Sequence, residues 1–462
     1  MNFVFYDLET SGLSKGYHQI LQFAAIVTDE KLVEIDRVNL RCRLSPHILP
    51  SPIALAITGV SPTEFMDGSL PTEFEFSQQI RKFVAKWAPA TWAGYNSMGF
   101  DEGHLRHLFY QNLQPNIYET QFNGNNRLDV MLVVYACRAK HPEALEWVNN
   151  AKGKVSYKLE HIAPANGFEG HDAHDALGDV EATIHVVKRI AQSVPDFWNT
   201  ALKNRKKQDV ISKIKNHNPV DFIAPSFGRL LAYELCFCCF SPTGQAVFFD
   251  IGNENPSHFM FTTEDQIRDL LERRPKIIQF VAVNKAPNLY EISKPSGELI
   301  ERAETIKKNN QFRSLLQKVL EEDYENREIE EGKLVEQKIY DGWYSDSDKA
   351  LLVEFQGSLW SERWGILEKI EDTRLKQLGR RLIVFQSDLE LKQSMVSGAI
   401  KYIEAKWLSE LDSEWTTFAQ AEKEIHEIES NGMLSIEAIS ELRSFYDSKK
   451  EELNLGQLPR FQ

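Results

Sequence analysis

The sequence predicts an α/β domain, followed by a small β-rich domain and an α-helical C-terminal domain. Three observations carry that reading. Strand-like apolar runs mix with helically spaced ones up to about residue 194, strand-like runs broken by Pro, Gly and Asn mark the middle, and charged amphipathic spacing fills the remainder. A chain of 462 residues with 42% hydrophobic content is too long for a single core. Boundaries are expected at 1–194, 195–340 and 341–462.

The apolar runs Phe3–Tyr6, Leu21–Thr28 and Val38–Leu44 read as strands of one sheet, with Ser, Gly and Lys turning the chain between the first two. Phe74–Trp87 has helical spacing, and Pro89 stops it before a short strand at Thr91–Gly94. Asp101 opens a second helix that runs through Leu108. The clearest helix starts near Ala173, with Leu177, Val180, Ile184, Val187 and Ala191 three and four apart. Pro195 marks a boundary. In the basic stretch after it, six Lys or Arg residues and one acid lie between Lys203 and Lys215. Alone, such a stretch is more often a solvated face than a nucleic-acid contact. Leu230–Ile251 and Ile277–Val283 read as strands. Beyond Glu301 the pattern is helical, the acidic stretch Glu321–Gly332 reads as a solvated helix or linker, and Asp346 or Ser347 is expected to cap a helix beginning at Lys349.

Composition excludes several classes. A formal charge of −14 argues against nonspecific coating of duplex nucleic acid, which needs many cations against phosphates. The five cysteines are odd in number and unevenly spaced, so they form no disulfide framework and point to a reducing compartment, the cytoplasm. The N-terminus does not resemble a signal peptide and no apolar stretch reaches roughly 18 residues, so a soluble protein with no membrane association is expected. His104 and His107 have a zinc-compatible spacing but no neighbouring third and fourth ligands, and read as helix-surface residues. The CFCC run at Cys236–Cys239 reads as buried reduced cysteines in a strand.

Asp7 and Glu9 are two apart, so on a strand they share a face. Two like charges at the end of an apolar strand are costly unless a cation lies between them; equally, a strand ending at Tyr6 leaves both in solvent. Thr10, Ser11 and Gly12 make a turn whose donors can meet a substrate end. Asp101 is a helix-start acid favoured by the helix dipole. Asp179 lies at the edge of the amphipathic helix, off its apolar stripe, where it can face a cleft, whereas Asp175 falls nearly opposite the stripe and is expected in solvent. The His174 imidazole, with an ordinary pKa near 6.5, suits a general base; by position alone His171 is its equal. Four acids and one imidazole suffice to hold two divalent cations and deprotonate a water.

With DLET, NSMGFD and HDAHDALGDVEAT in this order, residues 1 to about 194 resemble the DEDD exonucleases of the histidine subtype. That resemblance implies a ribonuclease H-like α/β fold and removal of nucleotides from 3′ ends with two magnesium ions, manganese being able to substitute. Within the superfamily, AGYNSMGFDEGHLRHLFYQNL, SYKLEHIAPANG, AHDALGDVEATI, NKAP and IYDGWYSDSDKALL are similar to the exonuclease I family, bacterial enzymes of single-stranded DNA. The family arrangement adds an SH3-like β domain and a helical C-terminal domain, closing into a C shape around the strand. By this resemblance Asp7, Glu9 and Asp179 are metal ligands, Asp101 acts mainly through a water on the metal, and His174 is the base. Glu9, Ser156 and Lys158 contact DNA, Lys158 standing where arginine is common and so losing the bidentate fork. The implied product is a 5′-mononucleotide, the implied setting DNA repair, recombination or mismatch correction. The implied partners of this monomer are single-stranded DNA and the acidic C-terminal tail of single-strand DNA-binding protein. The chain departs from the family at QLGRRLIVF after Lys376 and, outside NKAP, through much of Asp221–Leu320. Two alternatives stand beside this reading: an exoribonuclease using the same chemistry, and a noncatalytic 3′-end-binding scaffold, which would not need four acids near a polyanion.

Overall fold

A five-stranded mixed sheet organises the N-terminal part of the computed structural model, which describes residues 1–169, 175–226, 229–260, 263–327 and 332–461. Its strands are β1 (Phe3–Thr10), β2 (Ile20–Thr28), β3 (Glu34–Arg41), β4 (Thr91–Gly94) and β5 (Asn126–Asp129), in the order β3-β2-β1-β4-β5. The first three run antiparallel, while β4 and β5 continue from β1 in parallel. All nine residues of β2 are buried, because helices or neighbouring segments cover both faces. β3 starts four residues earlier than the apolar run suggested: as an edge strand with one solvated face it carries Glu34, Asp36 and Arg37.

The parity of β1 organises what surrounds it. Val4, Tyr6 and Leu8 enter a core with the Glu73–Trp87 and Asp101–Gln111 helices, whereas Phe3 and Phe5 enter the opposite core with the Val130–Lys140 and Ala176–Ser193 helices. The Glu73–Trp87 helix begins at a capping box between Thr72 and Glu75. The Ala176–Ser193 helix lies across β1 and β2 and buries Val180, Ile184 and Val187, as its stripe predicted.

A second sheet contains β6 (Val220–Ser226), β7 (Arg229–Phe240), β8 (Ala246–Asp250), β9 (Ile278–Val281) and β10 (Leu289–Glu291), in the all-antiparallel order β10-β6-β7-β8-β9. Neither β6 nor β10 was expected from the sequence, and β6 contains Pro225. It is tolerated because β10 pairs only with Val220–Phe222, leaving the far end of β6 unpaired on that side. Cys236, Cys238 and Cys239 are buried and reduced, a register shift between Phe237 and Cys239 turning consecutive cysteines inward. Of the basic stretch, Arg205 packs over Phe3 and Lys213 donates to Asn204 Oδ1 and the Leu289 carbonyl; Lys203, Lys206, Lys207 and Lys215 are exposed.

The C-terminal helices share cores with the first sheet. Leu352, Phe355, Leu375 and Leu378 pack in the core of Val4, Tyr6 and Leu8, and Phe385, Trp407, Ile425 and Leu442 pack with Leu21, Leu44 and Phe65. Ser345, rather than Asp346 or Ser347, caps the Asp346–Gly357 helix, accepting from Asp348 N at 3.0 Å. Between these helices Glu336, with its side chain 4% exposed, receives Arg381 at 2.5 Å and Lys406 at 3.0 Å, while Arg381 also reaches Gln111 at 3.0 Å. Burial opposes the Glu336 charge, but Arg381 and Lys406 outweigh it and hold the carboxyl well below its ordinary range. Among the described residues no helix is long and apolar enough to cross a membrane.

Glu336→Ala would leave two buried cations without their carboxylate, and is expected to cost about 3–5 kcal/mol in a denaturant titration. Because the folded pKa is depressed, this stabilisation is present above about pH 4.5 and lost as pH falls below it. A loss under about 1 kcal/mol would mean the three charges act as a solvent-exposed pair does.

Candidate functional site

β1 does not end at Tyr6. It continues to Thr10, so Asp7 and Glu9 extend the Phe3 and Phe5 face toward the Ala176–Ser193 helix. They pair across β2 with Ala24 and Gln22, and the register shifts immediately after Glu9. Such a bulge bends the strand and re-aims its side chains.

Asp179 sits in the first turn of the facing helix. One carboxylate oxygen from each of Asp7, Glu9 and Asp179 falls within 4.8 Å of the others, the one such cluster among the described residues. Asp175 caps that helix and is not simply solvated, contrary to expectation. Its Oδ2 accepts from Gly178 N at 3.3 Å, and its Oδ1 accepts from Gln22 Nε2 at 2.9 Å with Arg41 at 3.6 Å. Since Gln22 lies opposite Glu9, this contact fixes the helix start beside the strand end.

Asp101 opens its helix and is 2% exposed. The preceding loop is held by Asp129, whose carboxylate accepts from Asn96 N and Met98 N, both at 3.1 Å. Sequence reading missed Asp129; its signal was a lone acid at the end of a short strand. One Asp101 oxygen is buried without a protein hydrogen-bond partner.

Electrostatics set this cluster apart. Burial, then Asp101, Asp179 and Glu9, push the Asp7 carboxyl well above its ordinary range. Burial, then Asp179 and Asp101, push Glu9 up to about 9 against the pull of Arg41. Asp101 is pushed up to about 8, chiefly by burial, with Asp129 and Asp179 adding. A divalent cation placed among them would relieve the mutual repulsion that adds to burial in raising all three.

Other expected residues fall differently. His174 and His171 lie outside the described residues. Ser156 Oγ is 2.7 Å from His161 Nδ1, and Lys158 is exposed and paired with Glu160 at 2.9 Å. The turn hydroxyls hold their own loop: Thr10 Oγ1 donates to the Gly12 carbonyl at 2.8 Å and Ser11 Oγ accepts from Gln19 N at 2.9 Å. Gly12 is required there, since a Cβ would meet the His18 ring at 2.5 Å. His18 Nε2 in turn lies 3.0 Å from Thr416 Oγ1. His104 and His107 are not surface residues; burial lowers them to about 3 and about 4, leaving both neutral.

Residues 4–187 match the family model described as Exonuclease. The chain is 29% identical to exodeoxyribonuclease I of Buchnera aphidicola subsp. Schizaphis graminum, over 82% of each protein. It superposes on Escherichia coli exonuclease I in complex with a dA16 oligonucleotide with a TM-score of 0.83, at 22% identity, covering 97% of this chain and 99% of that one. With exonuclease I from Methylocaldum szegediense the TM-score is 0.80 at 25% identity, with the same coverage. The ribonuclease H-like architecture is therefore that of these enzymes.

The raised carboxyls carry a definite pH sign. Below about pH 4 the cluster is neutral in folded and unfolded chains alike; as pH rises toward 8 and 9, ionisation in the fold becomes costly and stability is lost. In chelator the melting temperature is expected to fall between pH 6 and pH 9, a fall that millimolar magnesium removes and Asp7→Asn lessens. Equal slopes with and without magnesium would count against a cation site.

Proposed function

We propose that this chain, which carries an exonuclease domain over residues 4–187 and resembles exodeoxyribonuclease I along most of its length, hydrolyses single-stranded DNA from the 3′ end with divalent metal. The observation that carries the reading is the convergence of Asp7, Glu9 and Asp179 within 4.8 Å, beside buried Asp101. A noncatalytic scaffold has no use for that repulsion beside a polyanion.

Asp7, Glu9 and Asp179 hold the metal, magnesium being the native ion and manganese a substitute. When bound, two such cations supply positive charge to the attacking and leaving oxygens. Asp101 adds a fourth carboxylate from the helix start, and Asp129 keeps its loop in place. His174, five residues before Asp179, takes the proton of the attacking water, releasing a 5′-mononucleotide. Glu9 and Ser156 lie along the terminal nucleotide, and Lys158 exchanges its exposed partner Glu160 for a phosphate at little cost. The preference for DNA rests on the similarity to exodeoxyribonuclease I. The same resemblance supports action as a cytoplasmic monomer in repair, recombination or mismatch correction, in contact with the acidic tail of single-strand DNA-binding protein.

Matched 5′-labelled single-stranded DNA and RNA should separate the readings. Stepwise shortening of DNA alone is expected, stopped by chelator and slowed by about 10³-fold or more in Asp179→Ala, the scale on which members of a catalytic unit act. In chelator that variant should melt no lower than the parent, because a repelling charge is gone. Near-normal turnover would remove the metal assignment, preferential loss of RNA would overturn the substrate, and no shortening of either would favour the scaffold.

A further inference from the structure

Asp101 starts its helix without a side-chain cap, and what holds it there lies partly outside the carboxylate cluster. Phe100 precedes the helix and offers no side-chain hydrogen bond to its first turn. A helix start left so is prone to fraying, yet Asp101 must be delivered to the cluster in one position. The backbone supplies part of the restraint: Glu102 N donates to the Ser97 carbonyl at 2.9 Å, and Phe100 N to the Asn96 carbonyl at 3.1 Å. The rest comes from β5.

Arg127 and Asp129 are two apart on β5 and so share a face of the sheet, while Leu128 between them enters the core of Phe3 and Phe5. From that face they grip both sides of Asp101. Asp129 accepts from the N–H groups of Asn96 and Met98 before it. Arg127 Nη1 donates to both oxygens of Glu102, the residue after it. Glu102 and Arg127 are 4% and 7% exposed, so little of the pair meets water. Arg106, one turn further along the helix, also pairs with Glu102. A buried carboxylate held by charge-assisted bonds from two guanidinium groups has little freedom to turn, and neither has the helical turn that carries it.

Arg127 is itself oriented from the second sheet. Its Nη2 donates at 2.8 Å to the carbonyl of Asn284, in the loop between β9 and β10. That loop is fixed by contacts of its own. Asn288 Nδ2 donates to the Leu132 carbonyl at 2.6 Å, and Asn204 Nδ2 donates to the Pro287 and Leu289 carbonyls at 2.9 and 3.0 Å. A guanidinium suits this place because its planar fork aims Nη1 and Nη2 at two partners at once, which the single ammonium of a lysine does not reproduce.

We infer that Arg127 is a positioning residue for the metal site: through Glu102 it sets where Asp101 stands, and the Asn284 carbonyl sets where Arg127 stands. The seating of the second sheet's loop is thereby felt at the carboxylates. This rests on the divalent-metal reading above and deepens it. Arg127 acts through Glu102 rather than on the metal, as supporting partners of metal-site residues do. Were the pair there for the fold alone, its loss would be felt in melting and not in magnesium affinity.

The test is magnesium binding by the full chain without DNA, read by calorimetry and by the rise in melting temperature over a magnesium titration, with kcat and KM on a 5′-labelled single-stranded oligonucleotide beside it. Arg127→Lys keeps the charge and loses the fork. Glu102→Gln combined with Arg127→Gln removes both charges of the pair together, so that neither is left buried without the other. Lys140→Ala breaks a different contact with the second sheet, the 2.5 Å pair with Asp221, and controls for loosening alone. The two Arg127 variants are expected to bind magnesium about tenfold more weakly, the lower end of what losing a supporting partner costs a metal site. Well below the melting temperature of every variant, their kcat should fall with KM nearly unchanged and return toward the parent's at saturating magnesium. Lys140→Ala should bind magnesium as the parent does. Parental magnesium affinity in both Arg127 variants, or an equal loss in Lys140→Ala, would overturn the positioning role. A parent that does not bind magnesium by either readout would overturn the metal reading, and this inference with it.

Discussion

Repulsion among carboxylates at the end of β1 is the constraint around which the rest of this molecule is arranged. Asp7, Glu9 and Asp179 are crowded together beside Asp101, and Asp7, Glu9 and Asp101 are each made harder to ionise, first by burial and then by neighbouring carboxylates. An isolated strand would separate them. They stay together because Phe3 and Phe5 anchor β1 on one side, Val4, Tyr6 and Leu8 on the other, and Val180 and Val187 fix the facing helix. The apolar cores hold a local arrangement that electrostatics alone would disperse.

Secondary contacts then determine which way the acids point. Asp175 ties the helix start to Gln22, across from Glu9, and Asp129 holds the loop that delivers Asp101. Neither residue belongs to the cluster. Each acts through backbone N–H groups or a side-chain amide, and each shortens the range of positions its neighbour can occupy. The turn after β1 works similarly, closing on its own hydroxyls with His18 packed against Gly12.

Much of this was legible in the sequence for a physical reason: period-two and period-3.6 patterns report which face of an element is buried. The stripe of the Ala176–Ser193 helix placed Asp179 correctly, and the two-residue spacing put Asp7 and Glu9 on one face. What failed was whatever depends on contacts far apart in the chain. Asp175 looked solvated because Gln22 and Arg41 approach from two neighbouring strands, β2 and β3, and His104 and His107 looked exposed because helix spacing cannot show what lies across from it. β6 went unread, and its Pro225 lies beyond the stretch that the short β10 pairs. Ser345 caps its helix one residue before Asp346 and two before Ser347, a difference that turns on local backbone angles.

The shared cores carry a consequence for biosynthesis. Phe65 packs edge-on against Phe445 at 5.4 Å, and Tyr446 donates to the Pro50 carbonyl at 2.6 Å, 396 residues away in sequence. At about 5–20 residues per second, a ribosome needs roughly 20 to 80 seconds to deliver the second partner after the first has emerged. Throughout that interval the nascent N-terminal sheet carries apolar surface that only the last helices will cover. Until those helices arrive, the uncovered surface is open to aggregation, so the order of synthesis itself is a hazard that the finished fold no longer shows.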